Sequence, residues 1–415
     1  MTQTMMKTTK IQGLMLASGL ATLALMQPAM ALDAQTFVDR LAAVYKVGGY
    51  DITFGTATLD GTTITVDGAT VAVAGMEGDP LTIDTELTFT GVADADDGGF
   101  TAEALTVPDI DTDFAEEPTG HLTLTDISAT DIYLPPEDEV NMTALLASVG
   151  SVSTGPLKIT RDGADFLSID SIEATNEFTY DDADAVTDIA STFDITGIWA
   201  DLTSMAEEDP QAGPVIQALG LTEINGNISE KMTWGLADGH MIIDQFLLDF
   251  ADVGAINFKM DMSGLTPAVF EKINAMETAK PGATPEEQQA QQMMVGMELL
   301  QAVTLTSSSL RYDDAGLAPK LLDLFASQSG ADRAAFVESL KAMVPQLVGQ
   351  AGVPELTDMV VPQVNTFLDD PKSIEVAVKP ATPTTLLVLS AAAANPASLI
   401  SALGLAITAN QAAAE

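Results

Sequence analysis

The sequence predicts an α+β protein, a large curved antiparallel β-sheet with helices mainly in the C-terminal third. Three observations lead there. From Tyr50 to about Tyr180 the chain is Thr, Val, Ile and Asp, alternating apolar with polar, the pattern of half-buried strands. Asp-Gly turn signals separate facing runs, which favours hairpins over βαβ crossovers. Helix-start signals gather after Pro267.

The first residues read as an export signal. Lys7 and Lys10 make a basic start, the run from Ile11 to Met26 is uncharged, and Pro28 breaks it. Ala29-Met30-Ala31 supplies the small residues a signal peptidase accepts. The run is short for a membrane anchor and carries Gly, Ser and Thr. With no Cys in the chain, a lipid-anchored form, disulfides and thiolate metal sites are excluded. The expected organisation is a signal peptide over 1–31, a β-rich region over 32–266, and a helix-rich region over 267–415 that completes the sheet.

Asp33 to Tyr45 reads as an amphipathic helix with Phe37, Leu41 and Val44 on one face. YDITFGTATL and TTITVDGATVAV then flank Asp60-Gly61, expected as the central pair of a type I′ turn, which needs φ > 0 at both positions. Asp162-Gly163 and Asp238-Gly239 mark two more hairpins. LTLTDISATDIYL from Leu122 and LSIDSIEATNEFT from Leu167 lie 45 residues apart and match softly. This pattern fits equivalent strand units, and also a shared Thr- and Ile-rich composition. The stretch 187–205 admits both helix and strand, with FDITGIW the strand candidate.

Val269, Phe270, Ile273 and Met276 have helical spacing, and Thr284-Pro285-Glu286-Glu287 starts a helix expected to reach about Leu300. Leu321, Leu322 and Phe325 mark the next apolar helix face. Asp332 caps another, with Phe336, Leu340, Met343 and Leu347 expected inward. A helix over 356–367 and the strand SIEVAVKP follow. Residues 384–409 carry no charge, but weakly apolar Ala, Ser and Thr dominate and Asn395-Pro396 splits them, against a membrane span. The expectation is a strand, a helix over 396–404, and a strand ending near Asn410.

Chemistry is sparse. The chain has 16 basic and 60 acidic residues. Lys7 and Lys10 belong to the signal segment, leaving a balance of −46. That field repels nucleic acid and anionic membrane surfaces. His121 and His240 have no partners at metal-ligand spacing, and nucleophile-elbow, phosphate-loop, dinucleotide and zinc-protease motifs are missing. A paired-carboxylate glycosidase would want stacking rings, yet aromatics are 5%, with Trp199 and Trp234 the two indoles. No enzyme and no cofactor are expected. Calcium is the one ion the pattern leaves open. DIDTDFAEE from Asp109 starts like an EF-hand loop, then fails at Phe114 and Gly120, and ADADDGG from Ala93 is similarly partial.

Three segments carry a family resemblance: VYKVGGYDITFGTATLDGTTITVDGATV, SSSLRYDDAGLAPKLLDLFASQSGADRAAFVESL, and FLDDPKSIEVAVKPATPTTLLVLSAAAANPASLISALGLAITAN. They are similar to uncharacterised periplasmic proteins of alphaproteobacteria and, more loosely, to YdgA-type and AsmA-like proteins. The resemblance implies a long curved antiparallel sheet with a face for hydrophobic or lipid groups. The chain lacks the usual AsmA-like N-terminal anchor, against a membrane-bridging role.

The functional expectation is a soluble periplasmic envelope protein, with association to the outer membrane left open. It would bind a hydrophobic or lipid-like ligand, or an envelope protein, with no nucleic acid and no stable transmembrane segment after signal cleavage. MIIDQFLLDF and TTLLVLSAA hold more apolar surface than one-face alternation needs, so Met241, Ile243, Phe246, Leu248, Phe250, Leu386 and Val388 are the candidate ligand residues. The alternative is a calcium-dependent structural or adhesive exported protein. Sequencing the N-terminus of protein secreted by its host should give Leu32 as the first residue; an intact Met1 would refute the export reading.

Overall fold

Short turns between alternating runs build one antiparallel meander. A computed structural model describes residues 32–73, 81–116, 119–204, 212–277, 284–350 and 352–412. The expected signal over 1–31 therefore lies outside the described residues, and Asp33 to Glu415 make one compact unit. Helix α1 (Ala34–Val47) begins at Asp33, whose carboxylate accepts from Thr36 N–H at 2.8 Å. Strands β1 (Tyr50–Phe54) and β2 (Ala57–Asp60) pair with one side of β3 (Thr63–Val73), and β4 (Leu81–Thr90) pairs with the other.

After the short β5 (Ala93–Asp94) come four long strands, each interrupted partway. They are β6 (Phe100–Val107) with β7 (Ile110–Glu116), β8 (Thr119–Leu124) with β9 (Ile127–Leu134), β10 (Val149–Thr154) with β11 (Leu157–Arg161), and β12 (Ala164–Ile169) with β13 (Ser171–Tyr180). Helix α2 (Met142–Leu146) joins β9 to β10. The ladder runs β4–β6–β9–β10–β13 on one side of the interruptions and β7–β8–β11–β12 on the other. Strand β14 (Val186–Asp201) pairs with both β13 and β12, which settles the ambiguous stretch as strand.

The interruptions line up because side chains there replace missing ladder bonds. Asp126 sits at φ 53 and its N–H donates to Asp109 Oδ1 at 3.1 Å. Gly197, at φ 64, donates its N–H to Asn227 Oδ1 at 2.9 Å. A Cβ on Gly197 would lie 2.1 Å from Asp170 Oδ2, so no other residue fits. The soft 45-residue match has a structural counterpart: its segments fall on β8–β9 and β12–β13, alternate strands interrupted at matching positions, Thr125-Asp126 and Asp170.

The meander continues through helix α3 (Ala212–Leu219), β15 (Glu223–Gly235), β16 (His240–Phe250) and β17 (Gly254–Ser263). Helices α4 (Pro267–Glu277) and α5 (Pro285–Ala302) precede β18 (Thr304–Asp314). Helices α6 (Leu317–Ser329), α7 (Arg333–Gly349) and α8 (Pro354–Asp369) precede β19 (Ser373–Val378). The chain closes with β20 (Thr384–Thr385), α9 (Leu386–Ala392), α10 (Pro396–Leu403) and β21 (Leu405–Ala409), which pairs with β19.

Three expectations need correcting. Asp60 pairs with Thr63, so the first turn is Gly61-Thr62, with only Gly61 at positive φ. The expected strand from Thr384 ends at Thr385, whose side chain instead caps α9 by accepting from Val388 N–H. On α6 and α7, Phe325, Met343 and Leu347 are exposed; Leu322, Ala326 and Val337 are the buried positions.

The densest core lies under α1. Phe37, Val38, Leu41 and Val44 are buried against Ile64, Val66, Phe89, Phe100 and Leu134 of β3, β4, β6 and β9. The Phe37 ring meets Phe89 and Phe100 edge-on at 5.0 and 5.8 Å. Phe37→Ala should lower unfolding free energy by about 3–5 kcal/mol in urea titration; a loss under about 1 kcal/mol would show that α1 contributes little.

Candidate ligand face

The site begins with register. Asp188–Gly235 of β14 and β15 are aligned so that Ile189 faces Trp234 and Ser191 faces Met232. Across the next strand Trp234 pairs with Met241, and Met232 with Ile243. The β15–β16 register then shifts by one residue, and Phe246 and Leu248 come opposite Glu230 and Ile228. Asp244 is the extra residue. In a regular strand Met241 and Ile243 would lie on one face, and Phe246, Leu248 and Phe250 on the other. The bulge at Asp244 brings all five to one face.

The same face stays apolar onward. Met241, Ile243, Phe246 and Leu248 pair with Met262, Met260, Phe258 and Ile256 of β17. Phe258 pairs with Leu310, and Leu310 with Val376. Val376 pairs with Ile407 on the last strand. The opposite face of these strands carries Asp249, Asn257, Arg311 and Glu375. There Arg311 is buried and bonded to Asp313 and Glu375.

Helices gather at the two ends of the strands. α1, α2, α4, α5, α9 and α10 touch in succession at the end where β15 turns into β16. α3, α6, α7 and α8 do so at the other end, and α8 packs on β21. At the first end a groove of about 440 Å³ opens over β10, β13, β14, β15 and β16. Tyr45 of α1, Leu146 of α2 and Phe270 of α4 overhang it, and Val152, Ile189, Met232 and Met241 form its floor. Trp234 anchors the floor: its Nε1–H donates to Leu265 O at 2.8 Å, and its ring meets Phe270 edge-on at 5.1 Å. At the other end Phe367 of α8 meets Tyr312 at 6.4 Å. Burial, then the hydrogen bond to Asp314, push the Tyr312 phenol above its usual range. Between the helix groups the face is uncovered: Leu310 is 52% exposed, and Ile256 and Val376 are each 41% exposed.

Of the seven residues expected at the site, Met241 lines the groove and Ile243, Phe246, Leu248 and Phe250 extend its floor. Leu386 and Val388 are on α9 instead of a strand. Leu386 N–H donates to Val303 O, and Val388 is exposed. Sequence reading missed Ile189, Met232, Trp234 and Phe270. The period-2 pattern of Ile189, Ser191 and Phe193, and of Ile228, Met232 and Trp234, was the available signal.

The polar candidates lie elsewhere. His121 sits between Asp111 and Asp113, at 3.2 and 2.8 Å, and His240 bonds Asp261 at 2.9 Å. DIDTDFAEE, expected as a loop, is largely strand β7, and Asp111 and Asp113 share one of its faces and close on His121 instead of curling round an ion. ADADDGG forms a turn in which Asp97 accepts from Gly99 N–H at 2.8 Å. Among the described residues no group of three or more His, Asp or Glu is placed to hold a metal ion.

A family model described as "Uncharacterized protein" matches residues 247–410, from β16 to the end of the sheet. No curated protein matches the chain.

Deleting Asp244 should return Met241 and Ile243 to the polar face, costing about 3 kcal/mol or more and abolishing the near-ultraviolet dichroism of Trp234. A deletion variant with unchanged stability and spectrum would show that the bulge does not set the face.

Proposed function

We propose that this is an exported envelope protein without catalytic activity, whose apolar sheet face holds a hydrophobic or lipid-like ligand. The observation that carries the reading is the apolar face itself. It continues over β14 to β21, is overhung by helices at both ends of the strands, and leaves Leu310, Ile256 and Val376 open between them. Contiguous uncovered apolar surface marks a place where another apolar body sits. The groove at Trp234 offers the enclosed end of such a site, with few polar groups and the indole N–H already bonded to the backbone.

A bound chain would gain roughly 25 cal/mol for each Å² of apolar surface removed from water, without any directional chemistry from the protein. The leader-like start at Lys7 to Ala31 supports action outside the cytoplasm. Among the described residues no helix is long and apolar enough to cross a membrane. The likeness to YdgA-type and AsmA-like proteins agrees with a lipid-facing sheet.

Native mass spectrometry of protein purified from its own host, followed by lipid extraction, tests this. A copurifying lipid or other apolar molecule, lost in Met241→Arg, is the expected result. A clean unliganded mass in wild type, with no uptake of added lipid, would overturn the proposal.

A further inference from the structure

One carboxylate stands on the part of the apolar floor that β14 to β17 form. Glu230 of β15 lies between Phe193 of β14 and Phe246 of β16, with Ile228 and Met232 as its same-face neighbours along the strand. From Ile189 of β14 through β15, β16 and β17, the other residues on this face are apolar, Ser or Gly. Glu230 is partly buried, and among the described residues its carboxylate has no hydrogen-bond or ion-pair partner. The nearest basic residues along the ladder, Lys231 and Lys259, alternate onto the opposite face, where Lys231 pairs with Thr192 and Gln245 and Lys259 with Ser309.

Glu230 keeps contact with water, but folding does not call for a carboxylate at a position where Met or Leu would pack. As an unpaired charge on an apolar face, it is placed to meet a cation lying on the floor. Met232 lines the groove, and two residues of strand place Glu230 about 6.6 Å from it and about 13 Å from Trp234. A chain lying along β15 would have its tail at Trp234 and Phe270 and its head at Glu230. The balance of −46 outside the signal segment adds a field that draws cations and turns away anions.

We infer that Glu230 is the head-group anchor of this floor, and that the ligand it selects is an amphiphile with a cationic, amine-type head. This rests on the reading of the sheet face as a ligand site. The test is calorimetric titration of the mature protein with dodecylammonium, dodecanol and dodecanoate, each below its micellar concentration. Wild type is compared with Glu230→Gln and with Glu173→Gln, a carboxylate on the opposite face, paired with Asp194. Wild type should bind dodecylammonium on the order of tenfold more tightly than dodecanol, the scale of one charge-assisted hydrogen bond. Glu230→Gln should remove that preference and leave dodecanol binding unchanged, and Glu173→Gln should alter neither. Equal losses in both variants would assign the preference to the overall field and overturn the anchor. Equal binding of amine and alcohol, or tightest binding of dodecanoate, would also overturn it while leaving the apolar site standing. Failure of all three to bind would remove the ligand face and the anchor together.

Discussion

Pairing register is the constraint on which the rest of this structure depends. Each long strand is held by the strands before and after it in sequence, so one face stays apolar only if every pairing keeps phase. A slip of one residue exchanges the faces of all strands beyond it. The chain corrects phase where its sequence would lose it. Asp244 does so in β16, the Gly197 bulge does so in β14, and a shift beside Thr306 brings Leu305 opposite Met262. These irregularities make a sequence of mixed alternation present one continuous apolar face.

A long meander without disulfides must also close its edges. The last strand is protected by α8: Gln363 accepts from Ala409 N–H at 3.0 Å, and Asn410 donates to Thr366 O and Asp370 O. At the other end α1 packs on β1 and β2. Where β4 and β6 stop pairing beyond Thr88 and Thr106, the exposed stretches carry Asp84 and Glu86 on β4 and Asp111 and Asp113 on β7. Charges on a free edge discourage another strand from adding to it.

Local signals in the sequence carried much of this. The Asp162-Gly163 turn, with φ of 49° and 79°, follows from its residue types, as do the caps at Asp33, Asp332 and Asn395. What failed depended on distant partners. Thr385 could begin a helix or continue a strand, and only the pairing of Thr384 and Thr385 with β18 decides where the strand stops. Met343 and Leu347 have the spacing of an inward face, but α8 packs on the side of α7 that carries Val337. The candidate site was legible at β16 because MIIDQFLLDF is unusually apolar. Its neighbours were not, because Trp234 and Phe270 meet only after the chain has turned at Gly239, at Asp252 and again at Leu265. Glu230 looked like one acid among 60 until register placed it between two phenylalanines.

The two faces of the sheet also explain why so acidic a chain has so apolar a surface. On the face away from the floor, Glu173 sits opposite Asp194, and Asp249 and Asp313 flank Ala255 on β17. Like charges on neighbouring strands cost stability, so the pattern is not one that the fold rewards locally. Its effect is between molecules. An open apolar floor would drive two copies together, since nothing in hydrophobic burial distinguishes a ligand from another floor. A strong net negative charge opposes that approach without touching the floor itself, because repulsion between whole molecules acts over roughly a Debye length, about 8–10 Å at physiological salt. A small neutral or cationic molecule experiences no such barrier. The acidic face and the apolar face therefore act together: local pairing energy is given up, and the repulsion that comes with it keeps one floor from meeting another.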